Sequence, residues 1–291
     1  MNDQRIGEKL KELRVYYGLS QKELSEDICT QAYISQVEAG NKNVASDILY
    51  QLSERLGVDV NYILFASYHE RYEYIMDVEQ QARTLVEMKD YRSLMNLIEA
   101  EENGPLLGSR HFHQFILWHK AIAVRYLEKD LDKALLLLQD ALTLAKTSIK
   151  AASEREVQIL SNMGSIYAEK GDYHLAITYY ETGLQKLWQM PVYEAKSETG
   201  LLYNLARVLL MNQQAEESLA CCDKAIALCK SNLTFHGLGE SYFIQGHCHK
   251  HLGDAEKAED SFMHAKRVFE LIDHQSFVAK VDQQLAKLQD A

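Results

Sequence analysis

Residues 20–40 read SQKELSEDICTQAYISQVEAG and predict two short helices joined by a tight turn. Glu23 follows Ser20 at the spacing of a capping box, so a helix is expected to begin just after Ser20. Thr30 is a second favourable N-cap residue, and it predicts another helix that Gly40 closes. The segment therefore folds as a helix, a turn and a helix.

Apolar residues on both sides extend this segment into a small helical bundle. Ile6, Leu10 and Leu13 are spaced to line one face of a preceding helix. Two further short helices are expected between residues 48 and 66, where apolar residues recur at helical spacing. We therefore predict an all-α N-terminal domain of five short helices over residues 1–66.

The spacing of residues through this domain resembles the lambda-repressor-like (Xre-type) helix-turn-helix family. The matching positions are Gln21-x2-Leu24-Ser25, Ile34-Ser35-x2-Glu38-x-Gly40 and Leu52-x3-Leu56-Gly57-Val58. The resemblance implies that the third helix enters the major groove of double-stranded DNA. The residues it places against base edges are Gln31, Ala32, Tyr33 and Gln36. Those it places against phosphates are Gln21, Ser35, Asn41 and Lys42. A structural ion pair between Arg14 and Glu38 is also expected.

The charge of the chain limits how tightly one such domain can hold DNA. The whole chain carries a formal net charge of −11, and residues 1–66 contain seven Lys or Arg against ten Asp or Glu, a net of −3. Phosphate attraction is therefore modest, and affinity must depend on base contacts and on two domains binding together. We expect a homodimer on a palindromic operator.

The remainder of the chain is a repeat, and its clearest copy is NMGSIYAEKGDYHLAITYYETG at residues 162–183. A small residue and an aromatic residue on one helix, then alanine and an aromatic residue on the next, resemble a tetratricopeptide repeat. The positions equivalent to Ala176 are Leu94, Ala134, Ser218 and Ala258. They recur at intervals of 40, 42, 42 and 40 residues. We predict an α-solenoid of five helix pairs over residues 67–291, with a connecting helix at about 67–88 and a capping helix near 277–288.

In such an array the first helix of each pair lines a concave face. Asn162 and Asn204 fall at the same position of consecutive repeats, and two amides in register can bridge the N–H and C=O groups of an extended peptide. Other residues projected onto this face are His119, Gln158, Tyr203, Arg207 and Phe243. These residues indicate a peptide site; the alternative is a helical-repeat scaffold or protein-binding regulator whose face is simply solvated.

Taken together, the two parts resemble the RRNPP regulators of Gram-positive bacteria, and among them the phospholipase-regulator (PlcR) type. The resemblance implies a transcription regulator that acts as a homodimer and is controlled by a short intracellular signalling peptide, as in quorum sensing. It also implies that Asn162 and Asn204 clamp the peptide and that Lys89 holds it near the start of the array. Phe277 matches an aromatic position on the last helix, where tyrosine is usual.

Several other function classes lack support in the sequence. The five cysteines have no CxxC spacing, and no window approaches the ~18 apolar residues of a membrane span. We therefore expect a cytoplasmic protein that does not bind a membrane. His247 and His251 lie four residues apart, but no further ligand completes a metal site. With no phosphate loop, nucleophile elbow or paired-carboxylate motif, we expect no enzyme activity, cofactor or metal.

Overall fold

The computed structural model describes residues 3–68, 72–145 and 153–289. Within these ranges the chain forms sixteen α-helices and one short 3-10 helix, and the described residues contain no strand. The predicted all-α fold is confirmed. Contacts divide the chain into two compact units, Met1–Met88 and Lys89–Ala291.

The first unit begins with five short helices, hereafter called the head, and continues into a longer sixth. The helices are α1 Asp3–Tyr16, α2 Gln21–Ser25, α3 Gln31–Glu38, α4 Ser46–Leu56, α5 Val60–Tyr68 and α6 Tyr72–Glu87. The predicted caps are present: Ser20 and Glu23 form a reciprocal capping box, and the Thr30 side chain accepts from the Tyr33 N–H. Fully buried side chains from all five helices form the core of the head. These include Leu10, Leu24, Ile34, Leu52 and Ile63.

Helices α1 and α3 approach each other unusually closely at Gly7. A Cβ atom added to Gly7 would lie 1.9 Å from the Val37 carbonyl oxygen and 2.8 Å from its carbonyl carbon. Only glycine, which has no side chain, allows the two helix backbones to approach this closely. Gly7 therefore sets how α3 is seated on the head.

The second unit consists of helices that pack as successive neighbours. They are α7 Tyr91–Glu101, α8 Arg110–Leu127, α9 Leu131–Ala145, α10 Glu154–Glu169, α11 Tyr173–Trp188, α12 Ala195–Met211, α13 Ala215–Ser231, α14 Leu238–His251, α15 Ala255–Leu271 and α16 Gln275–Gln289, with the 3-10 helix at Pro105–Gly108. Helix α8 packs against α9, α10 against α11, α12 against α13 and α14 against α15, and α16 covers α15. This order is a helical repeat.

The turns at equivalent positions of the repeat share one backbone conformation. Positive φ angles occur at the equivalent residues Lys89, Lys129, Gly171, Gln213 and Gly253. Where Asp follows this residue, its side chain accepts a backbone N–H of the next helix, as Asp90, Asp172 and Asp254 do. The left-handed residue ends one helix and the aspartate begins the next.

A small residue and an aromatic residue of the repeat meet across two of the pairs, α10–α11 and α14–α15. A Cβ atom on Gly164 would lie 3.0 Å from the Tyr180 ring, and one on Gly246 would lie 2.6 Å from the Phe262 ring. Tyr180 and Phe262 are both fully buried. The glycine on the first helix thus makes room for the ring on the second, which is the physical basis of the repeat pattern.

The predicted boundary between the two parts lies earlier in the chain than the boundary between the two compact units of the structure. We predicted a boundary after residue 66 and assigned a connecting helix at 67–88 to the array. The structure has α5 ending at Tyr68 and α6 at Tyr72–Glu87, while residues 69–71 of the predicted helix lie outside the described residues. Contacts group α6 with the head, and the boundary after residue 66 stays a prediction.

Candidate functional site

Helix α3 presents one polar side to solvent and buries the other. Ile34 and Val37 point into the core of the head and are almost completely buried. The exposed residues of the opposite side are Gln31, Ala32, Ser35 and Gln36. Asn41 and Lys42 are also exposed in the loop that follows α3. Six of the predicted DNA-contacting residues therefore lie on α3 and its following loop with their side chains free of the core.

A chain of hydrogen bonds orders the start of this surface. Both oxygens of Glu38 accept from Arg14, at 2.6 Å from Nε and 2.9 Å from Nη2, as the expected ion pair. Gln21 Nε2 donates to Glu38 at 2.9 Å, and Gln31 Nε2 donates to Gln21 Oε1 at 2.7 Å. Gln31 keeps its Oε1 and a second amide N–H for another partner. The ion pair thus orients Gln31 through Gln21.

The ion pair also sets the protonation of Glu38. Burial disfavours the charged carboxylate, but the hydrogen bonds from Arg14 and Gln21 outweigh it and hold the pKa of Glu38 below its ordinary value. Arg14 responds in the opposite sense, because its hydrogen bond to Glu38 raises the pKa of the guanidinium. Both groups are therefore charged at neutral pH, and the network persists under these conditions.

Tyr33 has a role within the head. Its hydroxyl donates to the Asn43 carbonyl at 3.3 Å and accepts from the Ala45 N–H at 3.0 Å. The Lys42 ammonium lies 4.6 Å from the ring centroid. Tyr33 therefore holds the loop between α3 and α4 and positions Lys42. Its predicted contact with a base edge stays a prediction, and the hydroxyl is already engaged inside the protein.

In the second unit, α10, α12 and the loop between α13 and α14 enclose a pocket of about 210 Å³, hereafter the α10–α12 pocket. Three predicted peptide-binding residues line it, namely Gln158, Tyr203 and Asn204. Asn162 lies one helical turn beyond Gln158, and its Nδ2 donates to the Gln158 carbonyl at 2.8 Å. That bond orients the Asn162 amide and leaves its Oδ1 available as an acceptor. The structure thus brings the two asparagines onto neighbouring helices.

Charged groups surround Tyr203 at one end of this pocket. Burial raises the pKa of the Tyr203 hydroxyl, the Glu240 charge raises it further, and the Arg207 charge opposes both. Burial also raises the pKa of the Glu240 carboxyl. Burial thus favours the neutral forms of both Tyr203 and Glu240, and the charge of the exposed Arg207 partly offsets the shift of Tyr203.

The remaining predicted peptide residues lie outside the pocket wall. Lys89 occupies the turn between α6 and α7 and is exposed. Phe243 is half-buried on α14, with its ring centroid 5.6 Å from that of Phe262, and Phe277 stacks on Phe269 at 4.7 Å. A single site that includes all three residues stays a prediction.

One residue projected onto the concave face is wrongly placed by the sequence pattern. His119 is 2% exposed, and its Nδ1 lies 3.0 Å from the Phe115 carbonyl oxygen. Its ring is also 3.9 Å from the Phe115 ring, centroid to centroid. His119 belongs to the interior of the array because the apolar side of α8 is wide enough to include it.

Two basic residues of the pocket wall were not singled out from the sequence. Lys196 lies seven residues before Tyr203, two turns earlier on the same face of α12. Extending the helical projection towards the start of α12 would have found it. His236 comes from the loop before α14, and no repeat pattern predicts where a loop residue lies.

Family models match both parts of the chain. A model described as the RNPP family C-terminal domain matches residues 79–284, and one described as helix-turn-helix matches residues 10–63. A search of curated proteins gave no match.

None of the described helices is long and apolar enough to cross a bilayer. Within the same described ranges, no group of three or more His, Cys, Asp or Glu residues is arranged to hold a metal ion.

Solved structures resemble the chain over nearly its full length. PlcR from Bacillus thuringiensis, in complex with the peptide PapR7 and DNA, is 25% identical, with a TM-score of 0.85 over 96% of this chain and 99% of that one. The Streptococcus dysgalactiae SHP pheromone receptor Rgg2 is 16% identical, with a TM-score of 0.63 over 97% and 99%. ComR from S. thermophilus, with DNA and its signalling peptide ComS, is 12% identical, with a TM-score of 0.59 over 98% and 99%. The last two similarities concern the fold alone.

Proposed function

Because the chain belongs to the RNPP family, we propose that it is a DNA-binding transcription regulator controlled by a short signalling peptide. The main observation in support is that one chain has both an exposed polar face on α3 and a polar pocket between α10 and α12. PlcR, the full-length relative described above, was crystallised with both a peptide and DNA. We assign the same two classes of ligand to this protein.

The chemistry of α3 suits base recognition. Gln31 and Gln36 each carry an amide that can pair with adenine through one donor and one acceptor, and the exposed Ala32 methyl group suits contact with a thymine methyl. Ser35, Gln21, Asn41 and Lys42 would hold phosphates and set the register of the helix in the groove. With few basic residues, the head depends on these specific contacts.

Removing the Gln36 amide tests the assignment of α3. We expect Gln36→Ala to weaken binding by about 1–3 kcal/mol and to relax base preference at one position. The measurement uses duplexes that the wild-type protein selects from a random pool. Gln51→Ala is a matched control, because Gln51 is an exposed glutamine on α4 of the same head. Equal affinity and selectivity in the Gln36→Ala and Gln51→Ala proteins would contradict the assignment.

The alternative function is a helical-repeat scaffold or protein-binding regulator without a peptide ligand. The two hypotheses differ in whether a peptide alters DNA binding. A ligand shifts an equilibrium only through its different affinities for the two states, and coupling between sites is about 1–3 kcal/mol in typical cases. The same factor must appear when DNA is added first and the peptide second.

We expect a selected palindromic duplex to change peptide affinity by about 5- to 150-fold. Two heads would occupy half-sites roughly 34–36 Å apart, so light scattering should report a homodimer on the duplex. Calorimetry with peptides retained from a random library, with and without the duplex, measures the effect. Equal peptide affinities in both conditions, or a monomer on one half-site, would defeat the regulatory model and leave DNA binding itself intact.

We also propose that the protein works in the cytoplasm, at no membrane, and without enzyme activity or a cofactor. The family consists of transcription regulators, and both proposed ligands are bound without covalent chemistry. The two proposed sites consist of amides, hydroxyls, aromatic rings and a few basic groups, which suit recognition of a backbone and of base edges.

A further inference from the structure

The wall of the α10–α12 pocket is rich in hydrogen-bonding groups and contains no carboxylate. Its neutral polar side chains are Gln158, Ser161, Ser197, Tyr203 and Asn204, and its basic residues are Lys196 and His236; the others are apolar or glycine. In a chain with a net charge of −11, a wall with basic but no acidic residues is unusual. Glu240 acts on Tyr203 at one end of the pocket, so the favourable environment for an anion is at Lys196, two turns of α12 away.

Lys196 is available for such an anion. In the described part of the chain it forms no ion pair or side-chain hydrogen bond. Two carboxylates near the starts of α10 and α12 are already engaged. Glu198 accepts from Trp188 and Tyr193, and Glu156 pairs with Lys186 at 2.9 Å. Glu156 and Glu198 thus have partners other than Lys196.

The loop that brings His236 to the pocket is held in place by a glycine. Gly237 has a φ of +77°, and an added Cβ atom would lie 2.9 Å from Thr199 Cγ2 and 3.1 Å from Tyr203 Cδ1. Thr199 is completely buried on α12. Only glycine combines this backbone conformation with so close an approach. The loop is therefore packed tightly onto α12, and His236 closes the pocket at a defined place.

The size and position of the pocket restrict what it holds. Its volume of about 210 Å³ is below the ~300–1,000 Å³ of sites that enclose a whole small-molecule ligand. Lys196 and Asn204 both lie on α12, two turns apart, a rise of about 12 Å. A peptide whose backbone is clamped at Asn204 could place one residue beside Lys196.

From these observations we propose that the α10–α12 pocket binds a carboxylate of the signalling peptide, with Lys196 as its ionic partner. The inference rests on the proposed function, since it assumes that the ligand is a peptide. The carboxylate can come from the peptide C-terminus or from an Asp or Glu side chain. Either source would distinguish acidic from neutral peptides at this position.

The test uses full-length protein and two libraries of random heptapeptides, one with free C-termini and one amidated. Retained peptides are identified by mass spectrometry and measured singly by calorimetry. Lys196→Met should lower the affinity for the best wild-type peptides by about 5- to 30-fold, which is the effect of losing a charged hydrogen bond that is partly exposed to solvent. Lys196→Arg should restore most of this affinity. Lys224→Met is the matched control, because Lys224 is an exposed lysine on α13 outside the pocket.

The outcomes distinguish the two sources of the carboxylate, and they test the carboxylate site separately from peptide sensing itself. A preference for free C-termini that Lys196→Met removes identifies the terminal carboxylate, and an enrichment of Asp or Glu that it removes identifies a side chain. Wild-type protein that retains neutral amidated peptides equally well, or Lys196→Met protein with unchanged affinities, overturns the inference and leaves peptide sensing intact. Retention of no peptide by any version overturns the proposed function and this inference with it.

Discussion

Replacing Gly7 with alanine is expected to unfold the head and to abolish DNA binding. The new methyl group would lie 1.9 Å from the Val37 carbonyl oxygen, which is well inside van der Waals contact. The methyl carbon is fixed to the backbone of α1 and the oxygen belongs to the backbone of α3, so no side-chain rotation relieves the clash, and the two helices must separate. Overpacking of this kind costs about 1–3 kcal/mol where side chains can adjust, and the cost is greater where they cannot.

The damage should be confined to the first unit. Separation of α1 from α3 disturbs the core around Leu10 and Ile34 and tilts the face that carries Gln36. Because the second unit has its own contacts, peptide retention should be preserved. Gly108→Ala is the control, since nothing lies within 4 Å of its added Cβ atom. A Gly7→Ala protein with wild-type thermal unfolding and DNA affinity would contradict the close approach of α1 and α3.

The local features of the head could be predicted from the sequence, whereas Gly7 could not. Ser20, Thr30 and Gly40 follow rules that involve only a few neighbouring residues, and each begins or ends a helix as expected. The need for glycine at position 7 arises from a backbone 30 residues away in sequence. Helical periodicity reports which face is buried but not how closely two helices approach.

The array shows the same division between local and distant causes. The interval of 40 to 42 residues predicted the helix pairs, and the left-handed turn residues, such as Lys129 and Gly171, recur at the same interval. The assignment of His119 to the exposed face was wrong because the width of a buried face depends on the neighbouring helices. His236 reaches the pocket through a loop, whose path the Gly237 contacts determine, and periodicity carries no information about it.

Simultaneous replacement of Asn162 and Asn204 by alanine is expected to abolish most peptide binding. Each amide would pair with the backbone of a bound peptide, and loss of one buried partner costs about 1–3 kcal/mol. Together the two changes should cost about 2–6 kcal/mol, a weakening of at least ~30-fold. Calorimetry with the peptides that wild-type protein retains from the free-acid library measures the loss.

The structure provides a control that separates peptide contact from helix stability. Asn162 Nδ2 donates to the carbonyl four residues earlier at 2.8 Å, and Asn232, the exposed residue that caps the C-terminus of α13, donates from Nδ2 to the Leu228 carbonyl at 2.9 Å. Asn232→Ala removes an equivalent internal hydrogen bond away from the pocket and should leave peptide affinity unchanged. If the double variant and Asn232→Ala lose affinity equally, the asparagines act through the stability of their helices and the peptide lies elsewhere. A loss confined to the double variant, with unchanged DNA binding in the absence of peptide, assigns both amides to the ligand.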